Sequence, residues 1–333
     1  MAHFILTGLM LLVIQTSAVL CQPSSVSEDD LSRIFDIGTV QSLMIEKDDR
    51  LLYEQYQNGM TRNSTTNIKS ASKSVLSLLV GIAIEEGYLE SVDQSIGEFF
   101  PEYFAENPNP GKEAITIENL LTMRSGLETT SFQNYGRWVI SDNWINFALS
   151  QPFEEEPGGR MVYSTGTSHL LSVILTKATG MSTRAFANEY LFDPMNIRIG
   201  GWDRDPQGFY MGGNNLALSP LSLLKLGELV LNGGTYNGRQ LVPESWIQSS
   251  TNIYTRSVYN DYDYGYMWWQ REVGGRNVIF AWGNGGQYIM ILPDLESVIS
   301  ITSDMESSNG SRQYQRRIFS FLEDTIIPYL RTY

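Results

Sequence analysis

Cysteine is almost absent from this chain: Cys21 is the only one in 333 residues, so no disulfide can form within it. Histidine is equally scarce, with His3 and His169 alone, and no His/Cys cluster has the spacing of a zinc site. No metal and no organic cofactor is expected. Runs of basic residues are missing as well. With 23 Lys and Arg against 37 Asp and Glu, the net charge is −14, and the positive footprint that nucleic acid or an anionic membrane surface requires is not there. Neither is an expected partner. No internal repeat and no low-complexity tract is visible.

What is present reads as a soluble globular protein, with 42% hydrophobic and 18% charged residues and ample length to bury a core. Residues 1–21, "MAHFILTGLMLLVIQTSAVLC", contain no Lys, Arg, Asp or Glu and are followed by the polar "QPSSVSEDD". That is the shape of a secretory signal. Secretion or export to a periplasm is therefore expected, with no stable membrane insertion once the leader is removed. An uncleaved anchor is the alternative, since the apolar run approaches the length of a membrane span. Asn63-Ser64-Thr65 and Asn309-Gly310-Ser311 are glycosylation sequons, which matter only in a eukaryotic secretory route.

After the leader, "VQSLMIEKDDRLLYEQYQNG" (40–59) places two β-prone runs around Asp48-Asp49, a hairpin signal. Apolar residues at Val75, Leu76, Leu79, Val80 and Ala83 then follow a helical period that ends at Gly87. Helical patterns dominate from about 100 to 240. Strand patterns return in "YGYMWWQREV", "NVIFAWG", "GQYIMILPD" and "SVISITSD", before a last helix. This order implies an α/β domain built from residues 22–99 and 241–333, interrupted by a helical domain at 100–240. Short turns between the C-terminal strands imply a largely antiparallel sheet.

The stretch "KSASKSVLSLL" (69–79) puts Ser70 and Lys73 three residues apart at the start of the first helix. That spacing places both on one face, beside unpaired N–H groups and the positive end of the helix dipole, which favours a neutral lysine. A serine nucleophile with a lysine base is one reading and a pair of ordinary surface residues the other, because the spacing recurs by chance. A second copy, Ser222 and Lys225, follows Ser219-Pro220, which looks like a helix cap and nothing more. Any Ser-His-Asp triad must use His169, yet "TSHLLSVIL" surrounds it with apolar residues, as in a satisfied core histidine. In "PGGRMVYSTGTSHLL" Tyr163 leaves a Pro-Gly-Gly turn just before a helix, a second candidate partner for Ser70.

Taken in order, "SASKSVLSLLVGIAIEEGYLESVDQSIGEFFPEY", "LLTMRSGLE", "PGGRMVYSTGTSHLLSVILTKATG", "LSPLSLLKLGELVLNGG", "YGYMWW" and "WGNGGQYIMILP" resemble the serine-hydrolase side of the β-lactamase superfamily, particularly class C β-lactamase-like esterases and 6-aminohexanoate-dimer hydrolases. The resemblance spans about residues 35 to 305. It implies an α/β (α+β) fold of the β-lactamase/DD-peptidase type, an antiparallel sheet flanked by helices with a helical insertion. It also implies Ser70 as the acylated nucleophile, Lys73 as its activator and Tyr163 as the second-motif tyrosine that exchanges protons with Ser70 and the leaving group. The third motif falls at Gly283-Asn284-Gly285-Gly286-Gln287, where the strand edge supplies an oxyanion N–H beside that of Ser70. Thr165 replaces an asparagine common after the motif tyrosine, and no Lys-Thr-Gly or His-Thr-Gly stands on the strand, so the group that would hold a β-lactam carboxylate is missing.

Glu128 and Trp138, with Gly286 and Gln287, are further substrate-binding candidates. Their plainer readings are a solvated carboxylate for Glu128 and packing for Trp138, as for Trp268 and Trp269. Asp261 and Asp263 resemble a fragment of a calcium loop without the remaining ligands, so a solvated turn is preferred. The expectation is thus an exported serine hydrolase acting on a small ester or a short linear amide. A cell-wall DD-peptidase or β-lactamase, or a non-catalytic binding protein on the same fold, are the alternatives. Whether Lys73 or Tyr163 takes the first proton stays open at this level.

Overall fold

The computed structural model describes residues 26–304 and 312–333. The leader and the second sequon lie outside these residues. Thirteen strands follow one another among the described residues: β1 Val40–Lys47, β2 Arg50–Tyr56, β3 Thr66–Asn67, β4 Gly201–Trp202, β5 Leu216–Leu218, β6 Thr235–Tyr236, β7 Arg239–Gln240, β8 Thr255–Arg256, β9 Asp263–Tyr264, β10 Trp269–Val273, β11 Arg276–Gly283, β12 Gln287–Leu292 and β13 Ser297–Ser303. Eight of them form one sheet in the order β2-β1-β13-β12-β11-β10-β9-β8, antiparallel throughout. The β1–β2 turn has positive φ at both Asp48 and Asp49, the two-residue hairpin geometry that acidic turn residues tolerate.

Both faces of this sheet are covered, which is why β12 and β13 are buried throughout and, Gln287 apart, apolar or small. On one face lies the helix Pro220–Leu231. Gly227 lets it approach, since a Cβ there would come within 2.3 Å of Val298 and 2.8 Å of Ile289. On the other face the C-terminal helix sets Phe319 against Phe280 and Tyr288. The sheet is therefore closed by residues from both ends of the chain and by a helix drawn from the middle.

Residues 100–200 are mostly short helices, with the long helix Thr165–Thr179 among them. The helical reading of 100–240 missed β4 and β5, which join β3 in a small sheet, and the β6-β7 pair, because two- and three-residue strands carry no period to detect. β3 leads directly into the turn that carries Ser70.

Candidate active site

A short 3₁₀ turn, Lys69–Ala71, precedes the helix Ser72–Glu85. Lys69 holds φ at +52°, a conformation unfavourable for a side-chain-bearing residue and one that clusters at functional positions. The strain is held from both sides: the Lys69 N–H donates to Asn67 Oδ1 at 2.8 Å, and Ser72 Oγ donates to the Lys69 carbonyl at 2.8 Å. The helix that follows is buried on every side from Ser72 to Ala83, which explains an apolar pattern with little one-sidedness.

Lys73 is 1% exposed. Its Nζ lies 3.2 Å from Ser70 Oγ, 3.3 Å from Thr165 Oγ1 and 2.7 Å from the Gly213 carbonyl oxygen. Burial pushes its pKa down from 10.5 to about 7, since an ammonium loses its hydration there with no carboxylate to replace it. Gly213, at φ +85°, has no room for a side chain: a Cβ would stand 2.5 Å from Lys73 Cγ and from Ser168 Oγ. Ser131 Oγ pairs with Thr165 Oγ1 at 2.9 Å and accepts the Thr165 N–H at 2.8 Å.

Tyr163 stands immediately before the Ser164 cap of the helix Thr165–Thr179. Its carbonyl accepts from Thr129 Oγ1 at 2.6 Å, its ring stacks on Trp269 with centroids 5.7 Å apart, and Lys73 Nζ lies 5.1 Å from the ring centre. Burial raises the phenol to about 12, and a hydrogen bond with Ser70 works the other way. Desolvation thus drives lysine and tyrosine in opposite directions, each towards its neutral form.

Strand β11 ends at Gly283 beside the nucleophile's turn, and a Cβ on Gly283 would meet the Ile68 carbonyl oxygen at 2.1 Å. Only glycine allows that approach. Gly285 and Gly286 follow with φ of +89° and +99°, a turn between β11 and β12 that carries Asn284. Ser70, Tyr163, Thr165 and Asn284 all line one cavity of about 440 Å³.

The rest of this cavity is lined by the aromatic residues Phe132, Tyr135, Tyr259, Trp269 and Trp282. Lys69, Ser131, Asn214, Ser257 and Asn260 add polar groups. Except for Trp269, which was read as core or cleft wall, these residues were not identified from the sequence. They come from separate turns, short helices and a strand end with no shared period, so no local signal marks them. Glu128 instead lines a neighbouring hollow with Glu154, on the far side of Tyr259. Trp138 is fully buried against Trp144 and Met211. Gln287 is also fully buried, its amide bonded to the Ser303 backbone, and Gly286 backs onto Tyr314. None of these four is brought to the cavity wall.

His169 is fully buried in its helix, with Nε2 2.9 Å from Asp205 Oδ2. Ser219 caps the helix of the second Ser/Lys pair, and Lys225 donates to the Met195 carbonyl oxygen at 2.8 Å, a structural contact. Asp263 sits 3.5 Å from Arg256. Among the described residues no group of three His, Cys, Asp or Glu can hold a metal ion, and no helix is long and apolar enough to cross a membrane.

Several known proteins are similar to this chain. A 6-aminohexanoate-dimer hydrolase of Paenarthrobacter ureafaciens is 21% identical over 298 residues, 81% of this chain and 74% of that protein. The octameric penicillin-binding protein homologue of Pyrococcus abyssi superposes with a TM-score of 0.71 at 19% identity, covering 90% of this chain and 77% of its own. EstCE1, a hydrolase with promiscuous acyltransferase activity, gives 0.69 at 15% identity, covering 88% and 96%. These likenesses show a shared β-lactamase and penicillin-binding-protein type of fold, and the β-lactamase family model matches residues 40–318, so the chain belongs to the β-lactamase family.

Proposed function

We propose that this protein is a serine hydrolase that cleaves small carboxyl esters, and short linear amides, through acylation of Ser70. The observation that carries the reading is the cage around Lys73 Nζ. A neutral amine has two N–H donors and one lone pair. Gly213 O and Thr165 Oγ1 can accept the two donors, which leaves the lone pair for the Ser70 hydroxyl 3.2 Å away.

With Lys73 near 7 and Tyr163 near 12, the lysine is the group that is free to accept a proton at neutral pH. Lys73 takes the Ser70 proton as Oγ attacks the carbonyl carbon, and the backbone N–H groups of Ser70 and Asn284 receive the developing oxyanion. The Tyr163 phenol passes a proton to the departing alcohol or amine and takes back the one Lys73 holds, and water then releases the acyl group by the reverse route. Aromatic walls suit an uncharged acyl group. The name of the P. ureafaciens relative supports the amide extension, and the acyl transfer attributed to EstCE1 supports acyl-enzyme chemistry. Export, by the leader at 1–21, is part of the same proposal. A panel of p-nitrophenyl esters and a linear amide, run on wild type and Ser70→Ala, tests it; hydrolysis that survives in Ser70→Ala contradicts it.

A further inference from the structure

Four successive carbonyls beside the site each end on a side-chain donor. Ser172 Oγ donates to Tyr210 at 2.6 Å, Trp202 Nε1 to Met211 at 2.9 Å, Ser168 Oγ to Gly212 at 3.0 Å and Lys73 Nζ to Gly213 at 2.7 Å. The Gly212 N–H in turn donates to His169 Nδ1 at 3.1 Å. Because Nδ1 accepts a hydrogen bond, the imidazole proton is on Nε2, and it points to Asp205 Oδ2 at 2.9 Å. Asp205 is 5% exposed, and its other oxygen accepts the Phe209 N–H at 2.8 Å. The rings of Trp138 and Trp144 pack edge-on against the imidazole.

We propose that His169 is a positioning residue: as a neutral imidazole between Asp205 and Gly212, it fixes the Gly212–Gly213 segment so that the Gly213 carbonyl orients the Lys73 amine toward Ser70. The proposal rests on the reading of Lys73 as the base. A lysine stem is flexible, and two of the three partners of Nζ are hydroxyls, whose hydrogens rotate. The carbonyl is the one partner with a direction set by backbone. Gly213 has no side chain of its own to hold it at φ +85°, so its place depends on neighbours. Gly212 is wedged in the same way, since a Cβ would lie 2.5 Å from His169 Cα and from the Ser168 carbonyl oxygen. Apart from Lys73 itself, the segment is held by the helix Thr165–Thr179, by Trp202 and by residues 203–205.

His169→Phe keeps a ring against the two tryptophans and removes both nitrogens. His169→Gln restores a donor for Asp205 and an acceptor for Gly212. The double change His169→Leu/Asp205→Leu removes the pair without leaving a buried carboxylate unpaired, a replacement that proteins tolerate well. Each is compared with Lys73→Ala, using p-nitrophenyl butyrate below the measured melting temperature. Misplacement of a reacting group by about 1 Å costs on the order of 10²-fold in rate. The Phe and double variants should therefore lose at least about tenfold in kcat with KM held within about twofold, and Gln should recover most of the loss. If Lys73→Ala abolishes turnover while either of those variants keeps wild-type kcat, or if Gln recovers nothing, the positioning role is overturned. If Lys73→Ala itself keeps wild-type kcat, it is the base assignment that fails, and the role of His169 falls with it.

Discussion

Lys73 Nζ lies 3.2 Å from Ser70 Oγ in a site where the lysine is almost wholly shielded from water. Groups that act as one unit respond to mutation non-additively. Ser70→Ala, Lys73→Ala and Tyr163→Phe should each lower kcat on the order of 10³-fold or more, and the triple variant should lose little beyond the worst single one. Steady-state kinetics on one ester checks this; three losses that multiply would mean three independent contributions.

The pH dependence follows from the same burial. With the Lys73 pKa lowered to about 7, acylation should rise with pH through about 7 and then level off, because the neutral amine is the active form. For stability the sign is also fixed. Between about 7 and 10.5 the unfolded chain keeps the Lys73 proton and the folded protein does not, so this group's contribution rises with pH across that window and is flat outside it. The melting-temperature advantage of Lys73→Met over wild type should shrink from about pH 6 to about pH 10. A constant difference contradicts the lowered pKa.

The Ser70/Lys73 pair was legible in the sequence because both residues sit in one helical turn, where spacing alone determines proximity. Tyr163 was a weak local candidate, from its place in a turn before a helix, and gained its role only through the resemblance; the Gly283–Gln287 turn was legible only through the resemblance, since nothing local ties it to Ser70. The partners of Lys73 illustrate the remainder. Gly213 is 140 residues away, and its role depends on a glycine backbone threaded past His169, which no period or composition reveals. Trp138 and Gln287 show the opposite failure. Each is the right residue type near a motif, but Trp138 turns into a cluster with Trp144, and the Gln287 amide is consumed by the backbone of the neighbouring strand. The longer sheet strands were readable from their runs of β-prone residues, whereas β3 to β9, of two or three residues each, were too short.

Substrate charge gives the next prediction. The segment Trp282–Asn284 offers the cavity an indole and an amide but no cation, where relatives use a Lys-Thr-Gly strand for a β-lactam carboxylate. Small neutral esters should therefore exceed a chromogenic cephalosporin by at least about 10²-fold in kcat/KM, equivalent to about 2.7 kcal/mol. Lys69 amends the reading from sequence, since it adds a cation to the cavity wall. Residual cephalosporin turnover should consequently fall further in Lys69→Gln. Equal rates on ester and cephalosporin would revive the β-lactamase alternative.

The uncharged stretch 1–21 ahead of Gln22 predicts removal of a leader in an exporting host. N-terminal sequencing of the secreted protein should find a start at or shortly after residue 19. A protein that still begins at Met1 and partitions into detergent would instead be anchored.

The most direct measurement of the account is the site of covalent labelling by a fluorophosphonate, read by peptide mass spectrometry on wild type, Ser70→Ala and Lys73→Ala. The account predicts one adduct on the peptide carrying Ser70, none in Ser70→Ala, and labelling slowed on the order of 10³-fold in Lys73→Ala. An adduct on another serine, or ester hydrolysis at the wild-type rate by Ser70→Ala, would contradict it.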